Sequence, residues 1–244
     1  WSEDSDLDQV CEEGLDLSMS LGNSRSITSN QTGVHDDLEK VVGRHINSEF
    51  KKPIAAFSQT AFDELNKQVQ AFLASSPHGK VILDSCCGVG ESSYHHAKAN
   101  PNALVIGIDK SEHRIDKHEH HKHSQVENCL LVRGDLNDLW RMIADANWPI
   151  STHYLLYPNP WPKSKHLQRR WHGAPVFKYL PKIGERLVVR SNWPVYIQEF
   201  EVALKLLGID AEVGEYRADE AMTPFERKYW ASGQSSWQLI ADFY

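Results

Sequence analysis

Short runs of Val, Ile and Leu alternate with amphipathic stretches through most of this chain. The apolar runs Val81–Asp84, Leu104–Asp109, Cys129–Arg133, Thr152–Leu156 and Arg186–Arg190 have the length and β-branched content of buried strands. Between them the spacing of apolar residues predicts helices over Glu91–Ala99, Glu112–His123, Leu136–Asp145, Gln168–Leu180 and Val195–Leu207. Ahead of the first strand, Ile54, Phe57, Phe62, Leu65, Val69, Phe72 and Leu73 fall roughly on one helical face, which Ser75-Ser76-Pro77-His78-Gly79 ends. Strands separated by helices imply βαβ units, hence a parallel sheet with helices on both faces, the doubly wound α/β class. Ala211–Tyr216 and Trp237–Phe243 add two strands, seven in all. No long crossover helix separates them, so they are expected to pair antiparallel at one edge.

Charge divides the chain unevenly. The formal net charge is −7, yet residues 1–40 carry ten acids against two bases, and the rest carries 23 acids against 24 bases. The first 40 residues, weakly apolar and rich in Ser, Asn and Gly, read as a disordered or loosely docked tail that cofactor binding does not need. Within it Leu15–Leu21 is a short amphipathic piece. Residues 41–244 are then the domain, near neutral overall, so total charge excludes no polyanionic partner. The acidic N-terminus is the opposite of a signal peptide's, and no apolar run reaches the length of a membrane span. Cys11, Cys86, Cys87 and Cys129 lack zinc-like spacing and suit free thiols in a reducing cytoplasm.

The first predicted strand ends in Asp84-Ser85-Cys86-Cys87-Gly88-Val89-Gly90-Glu91. An acid at a strand tip, followed by Gly-x-Gly opening a helix, lets a nucleoside-bearing cofactor approach the backbone. The third glycine of the dinucleotide fingerprint is replaced by Ser93. Acids stand at three successive strand ends, Asp84, Asp109 and Asp135. S-adenosylmethionine has no phosphate; its ammonium, sulfonium and ribose diol favour such carboxylates. Asp109 is placed to accept from the ribose hydroxyls and Asp135 to lie near the adenine amine. The plainer alternative is that each acid only caps the helix after it.

Beyond the fourth strand comes Tyr157-Pro158-Asn159-Pro160-Trp161-Pro162-Lys163. Prolines on both sides of Asn159 force the chain out of the sheet into a rigid finger. Ligands in open α/β sheets bind beyond the carboxyl ends of the strands, so the finger aims an amide at one. Lys163, Lys165, Arg169 and Arg170 follow with no acid among them, a stripe suited to RNA phosphates. Trp161 and Trp171 have the chemistry to stack on a base or to anchor packing.

Together these segments resemble the tRNA (guanine-N7)-methyltransferase family, from about Arg44 to the C-terminus. The specific likeness lies in Tyr157-Pro-Asn-Pro-Trp-Pro-Lys, the His166, Arg169 and Arg170 after it, and the late Thr223-Pro-Phe-Glu226-Arg-Lys. The resemblance implies a Rossmann-like methyltransferase sheet, S-adenosylmethionine as cofactor, and methylation of a guanosine in the tRNA variable loop at N7. It places Asp84, Asp109, Asp135 and Asn159 on the cofactor side, with Gly88 and Gly90 in the loop. Lys163, Asn192, Thr223, Pro224, Phe225 and Glu226 fall where the family contacts the guanosine, and the stretch from Lys165 to Arg170 where it meets RNA. Asn159 is the residue expected to act on the target base. This chain departs from the family by carrying Asn, not Asp, at 159 and 192. A same-fold enzyme for a small molecule or another base, and a non-catalytic RNA-binding relative, are the alternatives.

The run His113, His118, His120, His121 and His123 has no accompanying carboxylate or cysteine framework, so it reads as a solvated helix face and no metal is expected. Cys86 and Cys87 read as packing beneath the glycine loop.

Overall fold

The computed structural model describes residues 22–111, 113, 115 and 126–243. A seven-stranded sheet runs in the order β3-β2-β1-β4-β5-β7-β6. Its strands are β1 Lys80–Ser85, β2 Ala103–Asp109, β3 Cys129–Arg133, β4 Ile150–Leu156, β5 Arg186–Ser191, β6 Glu212–Tyr216 and β7 Ser236–Asp242. All neighbouring pairs from β3 through β5 are parallel, and β7 runs antiparallel to both β5 and β6, as the hydrophobic pattern predicts. Seven residues of β2 are buried, which fits a near-continuous apolar strand covered on both faces.

The helices are α1 Leu38–Ile46, α2 Ala56–Ser75, α3 Glu91–Ala99, α4 Leu136–Ala146, α5 Pro194–Lys205 and α6 Pro224–Ala231. The larger core lies on the face of Leu83, Ile106, Leu155 and Val189, against α1, α2, α4 and α5. On the other face Ile82, Val105 and Tyr154 pack against Ala97 of α3. Ser85, His153 and Trp140 form a polar knot inside the larger core, in which the buried His153 Nδ1 has no partner. Ser85 Oγ lies 2.8 Å from His153 Nε2 and accepts from Trp140 Nε1 at 3.0 Å. Burial pushes the His153 imidazole down to about 3, so it stays neutral at physiological pH.

Three expectations change. The helix predicted over Gln168–Leu180 is a chain of 3-10 turns, Ser164–Arg169, Trp171–Gly173 and Pro175–Lys182. Pro175 and Pro181 remove the backbone donors that an uninterrupted α-helix would need. Second, β6 and β7 are joined through α6, which begins at the capped turn Thr223-Pro224-Phe225-Glu226. Third, residues 22–37 are not set apart from the body. Leu38 and Val42 are buried in the core, and residues 24–35 bond to side chains and backbone as far away as Gln234. Leu15–Leu21, Cys11 and the histidines from 118 to 123 lie outside the described residues.

No helix of the described residues is long and apolar enough to cross a membrane. Among the described residues, no group of His, Cys, Asp and Glu is arranged to hold a metal ion.

Candidate active site

The carboxyl ends of β1, β2 and β4 meet at one edge, and the glycine loop, Asp109 and the Asn159 finger all sit there. Gly88 and Gly90 have φ of 61° and 81°, conformations that Gly adopts without strain. A Cβ on Gly90 would lie 2.5 Å from Leu131, whereas one on Gly88 would meet nothing within 4 Å. Gly90 is therefore glycine for packing, and Gly88 faces open space beside the strand tips. Cys86 shares the left-handed conformation (φ 61°). The buried Cys87 thiol is pushed well above its ordinary range by that burial, so it is inert packing under the loop.

The three strand-end acids hold this frame. Asp84 is buried, and its Oδ2 accepts from Ser92 and Ser93 at 2.6 and 2.7 Å, pinning the first turn of α3. Its Oδ1 has no partner. Burial outweighs the two hydroxyls and raises the carboxyl to about 6. Asp109 Oδ2 accepts from Gly88 N at 3.0 Å and its Oδ1 from Ser111 N at 2.8 Å. These two bonds fix the orientation of the carboxylate. Asp135 caps α4 by accepting from Asn137 N at 3.0 Å, with Lys110 at 3.5 Å and Lys52 at 3.7 Å from its Oδ2. Burial pushes it up, but the Asn137 bonds and the two lysines hold it below the ordinary carboxylate range. Asp84 and Asp135 thus do serve the helices that follow them, as the plainer alternative has it.

The finger is strained and heavily braced. Tyr157 and Trp161, on either side of Pro158-Asn159-Pro160, have φ of 49° and 46°, which non-glycine residues rarely adopt. Tyr157 N donates to Arg190 O at 2.9 Å, its hydroxyl donates to Ser236 Oγ at 2.7 Å, and its ring stacks on Phe225. Asn159 is exposed at the tip, and its Oδ1 accepts from Trp161 N at 3.2 Å. That bond closes the turn and sets which end of the amide faces into it.

The stripe separates into two kinds of residue. Lys163, Lys165 and Arg169 are exposed, with the Arg169 guanidinium 4.9 Å over the Trp161 ring. His166 and Arg170 are buried, contrary to a role at RNA phosphates. Arg170 Nη1 donates to Glu199 at 2.5 Å, its Nη2 to Gln31 Oε1 at 3.1 Å, and its Nε to Trp161 O at 3.2 Å. An exposed cation meets phosphate; a buried one already paired with a carboxylate does not. Arg169→Ala is expected to reduce the salt slope of RNA binding by about one unit. An unchanged slope in a salt titration would make Arg169 an ordinary solvated cation.

Glu199 on α5 is the hub that sequence reasoning missed. It is fully buried and takes Arg170, His172, the His35 backbone N–H and the Gln31 amide. Residues inside the expected tail thereby brace the finger. Ser29 Oγ donates to Pro162 O at 2.6 Å, Asn30 Oδ1 accepts from Ser164 N at 3.0 Å, and Ser164 Oγ lies 2.9 Å from His35 Nε2. No periodicity announces such contacts, because they pair polar side chains with one another and with backbone far apart in the chain.

On the guanosine side, Glu226 and Thr223 are buried rather than presented at the surface. Thr223 Oγ1 accepts from Glu226 N at 3.0 Å, and Glu226 accepts from Met222 N at 2.7 Å and Arg190 at 2.9 Å. Thr223 thus caps α6, and the Glu226 carboxylate is locked by its ion pair with Arg190. Phe225 is half-buried against Tyr157 and Tyr229, and Asn192 Nδ2 donates to Gln234 at 3.0 Å.

With this geometry in place, the match of residues 78–239 to the family model described as "Putative methyltransferase" covers about two thirds of the chain. The chain belongs to this methyltransferase family. Among its relatives is a protein of Cereibacter sphaeroides named tRNA (guanine-N(7)-)-methyltransferase, 29% identical over 63% of this chain and 66% of its own length. A protein of the same name from a Ruegeria species is 31% identical over 49% of this chain and 48% of its own length. The matched region thus spans about half to two thirds of these relatives. Two 16S rRNA methyltransferase structures share the fold. The adenine(1408)-N(1) enzyme of Catenulisporales acidiphilia aligns at a TM-score of 0.54 with 18% identity, covering 73% of this chain and 91% of its own. The enzyme KamB aligns at 0.53 with 16% identity, covering 74% and 93%. At such identities the likeness is of fold alone.

Proposed function

We propose that this methyltransferase transfers the methyl group of S-adenosylmethionine to N7 of a guanosine in tRNA. The observation that carries the reading is the position of the braced Asn159 finger, at the same sheet edge as the Gly88–Gly90 loop and next to exposed Lys163, Lys165 and Arg169. The names of the relatives support tRNA as the substrate, and a variable-loop guanosine follows the family resemblance. A cytoplasmic place of action follows from that substrate.

The residues at the edge fit the cofactor. Gly88 leaves room for a ligand against the backbone, Asp109 presents a fixed carboxylate for a diol, and the unpartnered Oδ1 of Asp84 keeps negative charge beneath the loop. S-adenosylmethionine, when bound, supplies an electrophilic methyl group. Guanine N7 has a lone pair and no proton, so the protein needs no general base. Its task is to hold the base in line and to disperse charge that develops on the ring. Asn159 does this as an acceptor at the finger tip, and the exposed cations hold the strand. The base must be turned outward, or lie in an open loop, to reach the finger.

A second reading has a specific basis. Pro158-Asn159-Pro160-Trp161 partly resembles the Asn-Pro-Pro-aromatic motif of amino-methyltransferases, in which an exocyclic amine is the target. The guanosine reading is preferred because it also accounts for Lys163 and for the Thr223–Glu226 turn beside Tyr157.

Calorimetry should show binding of S-adenosylhomocysteine, lost in Asp109→Ala, and no binding of NAD. Binding of NAD with no response to the sulfur ligand would overturn the cofactor assignment.

A further inference from the structure

A cavity of about 500 Å³ opens between α3 and α6, lined by His95, Arg217, Asp219, Glu220, Arg227 and Trp230. It is separate from the glycine loop and from the cation stripe, and neither the site above nor any relative's name accounts for it. Its place in the fold follows from topology. β6 is parallel to β5, because β7 is antiparallel to both, so the chain leaving Tyr216 emerges at the same sheet edge as Asn159.

Trp230 is held rigidly there. Its Nε1 donates to Ser236 Oγ at 2.9 Å, and Tyr216 packs at 6.1 Å between ring centroids. The same Ser236 hydroxyl accepts from Tyr157 at 2.7 Å, so the floor of this cavity and the root of the Asn159 finger share one anchor. The Arg217 guanidinium lies 4.3 Å from the centre of the Trp230 ring. A guanidinium held over an indole offers its outer face for a nucleobase to stack on and its N–H groups to a phosphate. Arg227 borders the cavity, and its Nη2 donates to both oxygens of Glu91 at 2.9 and 3.0 Å, which ties α6 to the helix that follows the glycine loop. The acids Asp219 and Glu220 on the rim repel phosphate and accept from base amino groups. A base therefore lies toward them and its phosphate toward Arg217, since Arg227 is already paired with Glu91.

We infer that this cavity is a second nucleotide subsite, which takes a residue of the RNA strand adjoining the target guanosine, on the flank of the site opposite Lys163, Lys165 and Arg169. The inference rests on the RNA reading of the site. It gives the strand two holds with the Asn159 finger between them, and it explains why a partly exposed tryptophan is fixed at this edge.

The test uses the full chain, unmodified tRNA, and the variants Arg217→Ala and Trp230→Leu. Arg217 is exposed and stacks on Trp230, so its removal leaves the core intact. The expected result is about a five- to tenfold rise in KM for tRNA in each variant, of the size given by loss of one stacked base. The salt slope should fall by about one unit in Arg217→Ala. S-adenosylhomocysteine affinity should stay at the wild-type value. A tRNA carrying 4-thiouridine beside the target guanosine should photocrosslink to the Trp230 peptide. Wild-type KM and slope in Arg217→Ala, or crosslinks that map only to the stripe, would overturn the subsite while leaving the RNA reading intact. A wild-type protein that neither binds nor methylates tRNA would overturn both.

Discussion

Replacing Glu199 by Ala is expected to lower stability by about 3–5 kcal/mol and to abolish transfer, although Glu199 is remote from any ligand surface. The change would leave Arg170 buried without its carboxylate and would release Gln31, His35 and His172 together. Arg170 in turn holds Trp161 O and Lys163 O, so the finger would lose its brace from behind. The pH dependence has a defined sign. Burial alone would raise the Glu199 carboxyl, but His172 and Arg170 outweigh it and hold it at about 2 against an ordinary 4.5. A depressed carboxyl contributes stability that is fully present above the ordinary value and is lost as pH falls toward the folded one. Denaturant titrations of the wild type should therefore show a steep acid loss below 4.5, and Glu199→Gln should flatten that limb. Asp84 acts in the opposite sense. Burial raises it to about 6, so its ionisation costs stability as pH rises through that value. Equal acid limbs in wild type and Glu199→Gln would show that the hub is not ionised in the folded protein.

Asn159 carries the second large effect. Asn159→Ala removes both the acceptor at the finger tip and the turn-closing bond from Trp161 N, so turnover should fall by about 10²- to 10³-fold. Asn159→Asp separates chemistry from architecture, because a carboxylate also accepts from Trp161 N. If the target is guanine N7, Asp should preserve or raise turnover, since its charge offsets the positive charge on the methylated ring. If the target is an exocyclic amine, Asp should be as damaging as Ala, because the recognising carbonyl-amide pair is lost.

The sheet was legible because its signals are local and periodic. Five apolar runs and two late strands lacking a long crossover helix were enough to place β1 to β7 and the antiparallel β7. The backbone of the candidate site was legible where covalent chemistry restricts it, at Gly88, Gly90 and the prolines about Asn159. Two local signals were available and passed over. Thr223-Pro224-x-Glu226 has the sequence pattern of a capping box with Pro at the first helical position, which predicts α6. Gly107 inside β2 signals close approach, since a Cβ there would lie 2.4 Å from Ser93 Oγ. What was not legible depends on long-range side-chain pairing. Arg169 and Arg170 are neighbours in a uniform basic stretch, yet one is exposed and the other buried beneath Glu199, 29 positions away in the chain. Likewise, acidic composition made residues 22–37 look detached, while Ser29, Asn30, Gln31 and His35 were each committed to bonds that composition does not encode.

The central claim is the identity of the methylated atom, and one measurement addresses it directly. Bulk tRNA lacking the modification is incubated with the protein and methyl-labelled S-adenosylmethionine, then digested to nucleosides and resolved by mass spectrometry. The account predicts label in 7-methylguanosine, abolished in Asn159→Ala and retained in Asn159→Asp. Label in methylated adenosine or cytidine without 7-methylguanosine, or no transfer to tRNA at all, would contradict it.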